Sequence, residues 1–275
     1  MPLVYLNGAL VPEAEATISV FDHGLVVGDG VFETILLHRG APFALSRHLD
    51  RLERSAAGLG IGPVEREAIA GGIAGVVASV PFSLGRIRVT LTAGRGPLGS
   101  GRLDGPPSVV VACSPFEEDE RPAAVSVVPW TRNEHGALAG LKTTSYAENA
   151  LALAFAAERG AGEAIFANTA GMLCEGTGSN IFVVRDGELL TPPLSSGCLA
   201  GVTRALVLER VGGREADIPL DALHDPRVTE AFLTSTLRGV QAIGRVDERE
   251  FPEASGVVTE KAIVQYRSLL DEIDP

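Results

Sequence analysis

Apolar positions along the first hundred residues follow two periods in turn. Residues 3–6 and 9–11 are apolar runs on either side of Asn7-Gly8, the pair best suited to a two-residue hairpin turn, so the chain opens as antiparallel strands. Val31 to His38, rich in β-branched and aromatic residues, predicts a further strand between the turns Gly28-Asp29-Gly30 and Arg39-Gly40. From Ser46, read as a helix cap, the period lengthens: Leu49, Leu52, Ala56 and Leu59 mark a buried helical face, with Arg47, Arg51 and Arg54 off it. Pro63 opens a second helix over 64–79, and Arg86 to Ala93 returns to alternation, with Ile87, Val89 and Leu91 on one face and Arg86, Arg88, Thr90 and Thr92 on the other. The glycine-rich stretch from Gly94 to Gly105 is too irregular for a nucleotide fingerprint and predicts a mobile rim. Ser108 to Cys113 is a buried strand, and the charged Phe116 to Pro122 marks a boundary. The expected domains are 1–118 and 124–275, joined by a linker over 119–123.

In the second half, Ala124 to Trp130 predicts a strand, and Ser145 with Glu148 has the spacing of a capping box before an Ala- and Leu-rich helix from Ala147 to Glu158. Short strands follow over 163–168, 172–174, 180–184 and 188–191, then a helix from Thr203 to Val211, a strand from Glu230 to Leu233 and a terminal helix from Val257 toward Ile273. The order implies an α+β protein of two domains, a small α/β domain and a larger one with a mixed or barrel-like sheet.

Charge narrows the choice of partner. A net charge of -12 over 275 residues, with no basic stripe, argues against nucleic acid and against anionic membranes, so anions have to be held by local devices. No apolar run reaches the length of a membrane span and no secretory leader is evident, which makes a cytoplasmic location the expectation. Three cysteines without paired spacing suggest reduced thiols, and five scattered histidines offer no metal cluster.

Candidate chemistry begins with a scarcity: Lys142 and Lys261 are two lysines among twenty-three basic residues. Arginine keeps its proton, whereas a desolvated lysine amine can lose it and attack a carbonyl. Lys142 stands just ahead of a predicted helix N-terminus, which favours the neutral amine; Lys261 lies on a solvated helix flank. Two further devices accompany it. Gly197 to Val202 leads into a helix at Gly201, where the backbone N–H groups and the Thr203 hydroxyl form a phosphate-sized anion site. Thr234-Ser235-Thr236 turns toward Arg238-Gly239 as a second donor set, and Arg51 can add countercharge. Glu175, ahead of Gly176-Thr177-Gly178-Ser179, supplies a carboxylate where backbones can approach closely. A Schiff-base lysine, a phosphate cradle and one carboxylate are what pyridoxal 5'-phosphate requires.

Six blocks occurring in order then make the chain resemble the fold-type IV, or class IV, pyridoxal phosphate enzymes: FDHGLVVGDGVFET (Phe21 to Thr34), RHLDRL (Arg47 to Leu52), GLKTTSYAEN (Gly140 to Asn149), LCEGTGSNIF (Leu173 to Phe182), GCLAGVTR (Gly197 to Arg204) and FLTSTLRGVQAI (Phe232 to Ile243). The resemblance implies Lys142 as the Schiff-base lysine, which also moves the proton at the substrate Cα, and Glu175 as partner of the pyridine nitrogen. It implies Arg51, the backbone of Val202 and Thr203, and the hydroxyls of Ser235 and Thr236 around the phosphate, with Leu199 on the cofactor ring and Tyr146 and Asn180 nearby. It also implies a homodimer acting on small-molecule substrates, amino acids and 2-oxo acids.

On the substrate side the chain departs from its relatives. Val27 stands where many members carry Tyr or Phe, and the Arg-x-His pair of typical D-amino acid transaminases is not matched in the loop containing Arg95. Arg88 falls near the strand arginine of branched-chain enzymes, without their aromatic neighbours. Arg88, Arg95 and Arg132 are therefore the candidates to bind a substrate carboxylate. Transamination with D-amino acid donors is the leading expectation, aminodeoxychorismate lyase the alternative, and branched-chain L-amino acid transamination the third.

Overall fold

The computed structural model describes residues 2–251, 254–272 and 274–275. Two compact units divide the chain: one comprises Met1–Glu117, Leu141–Tyr146 and Glu272–Asp274, the other Glu118–Gly140, Ala147–Asp271 and Pro275. The second unit is thus not one continuous stretch from residue 124. The segments 141–146 and 272–274 leave it for the first.

In the first unit, β1 (Leu3–Leu6) and β2 (Ala9–Pro12) turn through Asn7 and Gly8, both at positive φ, as a mirror-image hairpin turn requires. Helix α1 (His23–Val26), capped by Asp22, leads into β3 (Gly30–His38), which folds back on β4 (Ala41–Pro42). Helices α2 (Leu45–Leu59) and α3 (Arg66–Ser79) precede β5 (Gly85–Thr92) and β6 (Ser108–Pro115). The sheet order is β2-β1-β6-β5-β3-β4, antiparallel throughout. One face carries Val31, Ile35, Leu37, Ile87, Val89 and Leu91, packed against Leu49, Leu52, Ile69 and Ile73 of the helices. Burying this apolar stripe, at about 1.5–3 kcal/mol per large side chain, is what holds α2 and α3 to the sheet.

Two expectations fail here for identifiable reasons. Ser46 does not cap α2: the chain enters that helix through Ala44 in the left-handed region, and the Ser46 hydroxyl donates to Asp274. The 94–105 loop is not a free rim. Gly96 N–H donates to the Phe21 carbonyl, His23 Nε2 lies 3.0 Å from the Pro97 carbonyl, and Arg102 clamps Asp29 while donating to the carbonyls of Leu59 and Gly60.

In the second unit, β7 (Ala123–Arg132) and helix α4 (Ala147–Ala157) are followed by β8 (Glu163–Asn168), β9 (Leu173–Gly176), β10 (Asn180–Arg185) and β11 (Glu188–Thr191). Then come helix α5 (Val202–Arg210), β12 (Arg214–Glu215), β13 (Val228–Ser235), β14 (Gly239–Val246), β15 (Arg249–Glu250) and helix α6 (Val257–Leu269). Ile273 lies outside the described residues. Eight strands run in the order β12-β11-β10-β13-β14-β7-β8-β9, and β15 pairs with β14. The sheet curls until β9, at its end, meets β10, where Gly176 N–H donates to the Ser179 carbonyl over 2.7 Å. Inside the curl lie Val125, Ile165, Leu173, Ile181, Leu233 and Ile243. This is the mixed, barrel-like sheet of an α+β protein.

The expected capping box does not form. Ser145 donates to the Gly28 carbonyl within the first unit, and Glu148 accepts from Arg132. No helix among the described residues is long and apolar enough to cross a membrane.

Candidate active site

The segment 141–146 is laid along β3 as an added edge. Phe32 N–H donates to the Lys142 carbonyl over 3.0 Å, Thr144 N–H to the Gly30 carbonyl over 2.8 Å, and Lys142 N–H to Ser55 Oγ over 3.2 Å. This fixes the backbone of Lys142, whose Nζ sits 4.4 Å from the centroid of the Phe32 ring and 5.8 Å from that of Tyr146. Phe32 and Tyr146 meet edge to face at 5.0 Å. Arg88 reaches the same ring, its guanidinium 3.3 Å from the Phe32 centroid. Two cations therefore share one aromatic side chain. Burial pulls the Arg88 guanidinium down to about 10, and among the described residues no carboxylate makes an ion pair with it.

Behind this ring lies a buried triad of Glu33, Arg51 and His48. Glu33 points to the helix side of β3 and is fully buried; it accepts from Arg51 Nε at 2.7 Å and Nη2 at 2.8 Å, and lies 2.7 Å from His48 Nδ1. Burial pushes the Glu33 carboxyl up, but the charge and hydrogen bonds of Arg51, joined by His48, outweigh it and hold it at about 2. For His48 burial wins, and its pKa falls below the ordinary value against the pull of Glu33. Arg51 thus belongs to the buried side of α2, contrary to its place off the apolar face of the sequence. A guanidinium has five N–H donors, and Glu33 engages two.

The second unit gathers a different set. Glu175, within β9, accepts from Leu199 N–H at 2.9 Å on one oxygen and faces Arg132 Nε at 3.5 Å with the other. Asn180 donates to the Leu199 carbonyl at 2.9 Å, and a Cβ on Gly201 would fall onto its Oδ1, so a larger residue at 201 would displace Asn180. Gly201 precedes α5 without a side-chain cap, which leaves the N–H groups of its first turn, at Val202 and Thr203, directed at whatever anion lies ahead. The Thr203 side chain meets the Tyr266 phenol, which burial pushes up to about 12. The Tyr266 ring abuts Gly239, the partner of Ser235 in the β13–β14 ladder. Ser235 Oγ in turn accepts from Arg238 N–H at 3.3 Å. Tyr266 therefore ties the start of α5 to the end of β13.

A sequence profile described as amino-transferase class IV matches residues 30–246. The chain belongs to the class IV aminotransferases. It is 34% identical over 279 residues to a putative branched-chain-amino-acid aminotransferase of Methanocaldococcus jannaschii, spanning 97% of this chain and 96% of that one. An aminodeoxychorismate lyase of Bacillus subtilis is 28% identical over 280 residues, 96% of this chain and 94% of the lyase, and similarity extends to D-alanine aminotransferases. Among solved structures, the branched-chain aminotransferase of Thermoproteus uzoniensis with norvaline has a TM-score of 0.92 at 31% identity, covering 99% of this chain and 96% of that one. A second branched-chain amino acid aminotransferase, solved with pyridoxamine 5'-phosphate, has a TM-score of 0.90 at 30% identity, covering 100% of this chain and 95% of that one.

Class IV aminotransferases use pyridoxal 5'-phosphate, and this chain is an enzyme of that family. The donor set fits the group: an uncapped helix start and hydroxyls suit a phosphate, and a carboxylate already fixed on one oxygen suits a ring N–H.

Of the residues singled out in the sequence, Arg51, Arg88, Lys142 and Tyr146 gather around Phe32 and Glu33. Glu175, Asn180, Leu199, Val202, Thr203 and Ser235 form the second group, and Thr236 follows Ser235 in the turn between β13 and β14. Arg95 is exposed and lies over Phe21 at 5.9 Å, and Val27 is 41% exposed. Sequence reasoning missed Phe32, Glu33, His48 and the Arg132 to Glu175 contact. One signal was available: Glu33 interrupts the apolar face Val31, Ile35, Leu37, and a charge in that position needs a partner.

Proposed function

We propose that this enzyme transfers an amino group between apolar α-amino acids and a 2-oxo acid, with branched-chain donors first. The observation that carries the reading is Arg88: a desolvated guanidinium on the ring shared with Lys142 and with no ion-pair partner among the described residues. Such a cation is stabilised by a substrate carboxylate. Phe32 and Tyr146 present an apolar wall beside it. Similarity to branched-chain enzymes supports the same choice.

When bound, pyridoxal phosphate supplies an electron sink for the bond broken at the substrate Cα. In this reading Lys142 takes the Cα proton at its Nζ and returns it, and Arg88 orients the substrate through its carboxylate. Glu175 accepts the ring N–H. The backbone of Val202 and Thr203, the hydroxyls of Ser235 and Thr236, and Arg51 would hold the phosphate, with Leu199 on the ring and Tyr146 and Asn180 nearby. A cytoplasmic homodimer is part of the same proposal.

D-amino acids, the leading expectation from the sequence, become the second reading. Similarity to D-alanine aminotransferases favours it, but the exposed Arg95 offers that reading no buried loop clamp. The test is a half-reaction. Holoenzyme is mixed with single amino acids of each hand, and separately with aminodeoxychorismate, while the visible band of the cofactor is followed. Loss of the band with L-valine, L-leucine or L-isoleucine is the expected outcome. Loss only with D-amino acids selects the second reading, and pyruvate release from aminodeoxychorismate without conversion by any amino acid overturns transamination.

A further inference from the structure

Arg132 is not available to a substrate. Its Nη1 donates to Glu148 Oε2 at 2.5 Å, its Nη2 to Asn149 Oδ1 at 2.8 Å, and its guanidinium lies 4.0 Å from the centroid of Phe166. Asn149 is itself anchored through its amide N–H to the Thr177 carbonyl. Three elements, α4, β7 and β8, thus converge to hold one guanidinium still. What they leave is its Nε edge, buried, without a hydrogen-bond partner, and 3.5 Å from Glu175 Oε1.

We infer that Arg132 is a positioning residue for Glu175, which it holds ionised and fixed so that the carboxylate would keep a proton on the cofactor's ring nitrogen. The inference rests on the pyridoxal phosphate reading of the site. Glu175 is held on both sides, by Leu199 N–H on Oε2 and by the arginine charge near Oε1. Rotation of the carboxylate would give up one of these contacts.

The electrostatic sign follows from relative distance. Arg132 lies 3.5 Å from the Glu175 carboxylate, and a ring nitrogen would meet the arginine only through that carboxylate. The arginine therefore stabilises the anion more than it disfavours the protonated ring, and the ion pair is preferred over a neutral carboxyl beside an unprotonated pyridine. Phe166 on one face of the guanidinium excludes water and keeps that interaction from being screened.

The test uses holoenzyme loaded with pyridoxal phosphate labelled with 15N at the ring. In the wild type the nitrogen resonance is expected at the protonated position. Arg132→Gln should move it toward the unprotonated position and speed cofactor dissociation roughly tenfold, the loss of a charged interaction. Arg132→Lys, which keeps the charge, should recover most of the shift. A purely structural role would lower thermal stability and leave the resonance in place, and that result overturns the inference. Should Arg132→Gln fail to fold, Glu148→Gln loosens the same guanidinium from the half-exposed side; a smaller displacement in the same direction supports the role, and an unmoved resonance removes it. If the wild type retains no pyridoxal phosphate, the cofactor reading itself fails and takes this inference with it.

Discussion

Each unit buries a carboxylate, and the two are satisfied by different sets of donors. Glu33 in the first unit is held by two side chains, the guanidinium of Arg51 through two N–H groups and the ring of His48, whose charge burial disfavours. Glu163 in the second takes one cation, Arg238, and spreads the rest over neutral donors: the N–H groups of Ala164 and Thr177 and the hydroxyls of Thr177 and Ser179. The contrast extends to the two groups of candidate residues. The first unit offers charged side chains around an aromatic ring, while the second offers backbone N–H groups, hydroxyls and one pinned carboxylate. Charge concentrated on few groups suits a changing substrate. Distributed neutral donors suit a group that stays bound.

Substitutions in both units would break or sharpen this comparison. Lys142→Ala removes the amine proposed to react in the first unit, and it should abolish the visible band of the lysine-bound cofactor and cut turnover by about 10²–10⁴-fold or more. A variant that keeps the band would move the reactive lysine elsewhere.

Glu33→Gln comes next. It leaves the buried Arg51 without its counter-charge and should cost about 3–5 kcal/mol in urea denaturation. Glu163→Gln, with its donors spread over neutral groups, should cost about 1–3 kcal/mol. Equal losses would erase the distinction between the two carboxylates.

The same triad sets an acid limit. Glu33 has a folded pKa lowered from 4.5 to about 2, so its contribution is complete above 4.5 and is lost as pH falls toward 2. His48 is lowered from 6.5, so the unfolded chain binds a proton that the folded one resists, and stability also declines as pH drops below 6.5. Thermal midpoints measured from pH 7 to pH 3 should fall throughout, and Glu33→Gln should flatten the lower part of that curve.

The smallest effect is expected at Arg88. Arg88→Ala should raise the KM for amino acid donors about tenfold while leaving cofactor affinity within a factor of two or three, read from half-reaction rates and from cofactor titration. An unchanged KM would take the carboxylate clamp away from the strand.

Elements with a clean period were legible in the sequence: the Asn7-Gly8 hairpin, the alternation of β5 and the apolar stripe of α2 all follow from side-chain spacing. What stayed hidden depends on register between distant segments. Arg51 reads as a surface arginine until α2 is laid on β3, where Glu33 waits for it. Arg132 reads as a candidate clamp until β7 is placed beside α4, which supplies Glu148 and Asn149. The 94–105 loop reads as mobile because glycine content speaks for freedom, whereas the clamp by Arg102 is a tertiary fact. Ser145 and Glu148 match a capping spacing, but each finds a stronger partner.

The placement of 141–146 against β3 has a consequence for the order in which the protein is made. By the time the ribosome has delivered residue 117, every strand of the first sheet exists, yet the flank of β3 around Phe32 still lacks the segment that closes it. Twenty-three further residues of the second unit must emerge before Leu141 does. An N-terminal fragment ending at 117 would carry an open strand edge, the usual template for self-association. The nascent chain passes through that same stage, and the segment that finally covers the edge carries Lys142, the proposed reactive lysine.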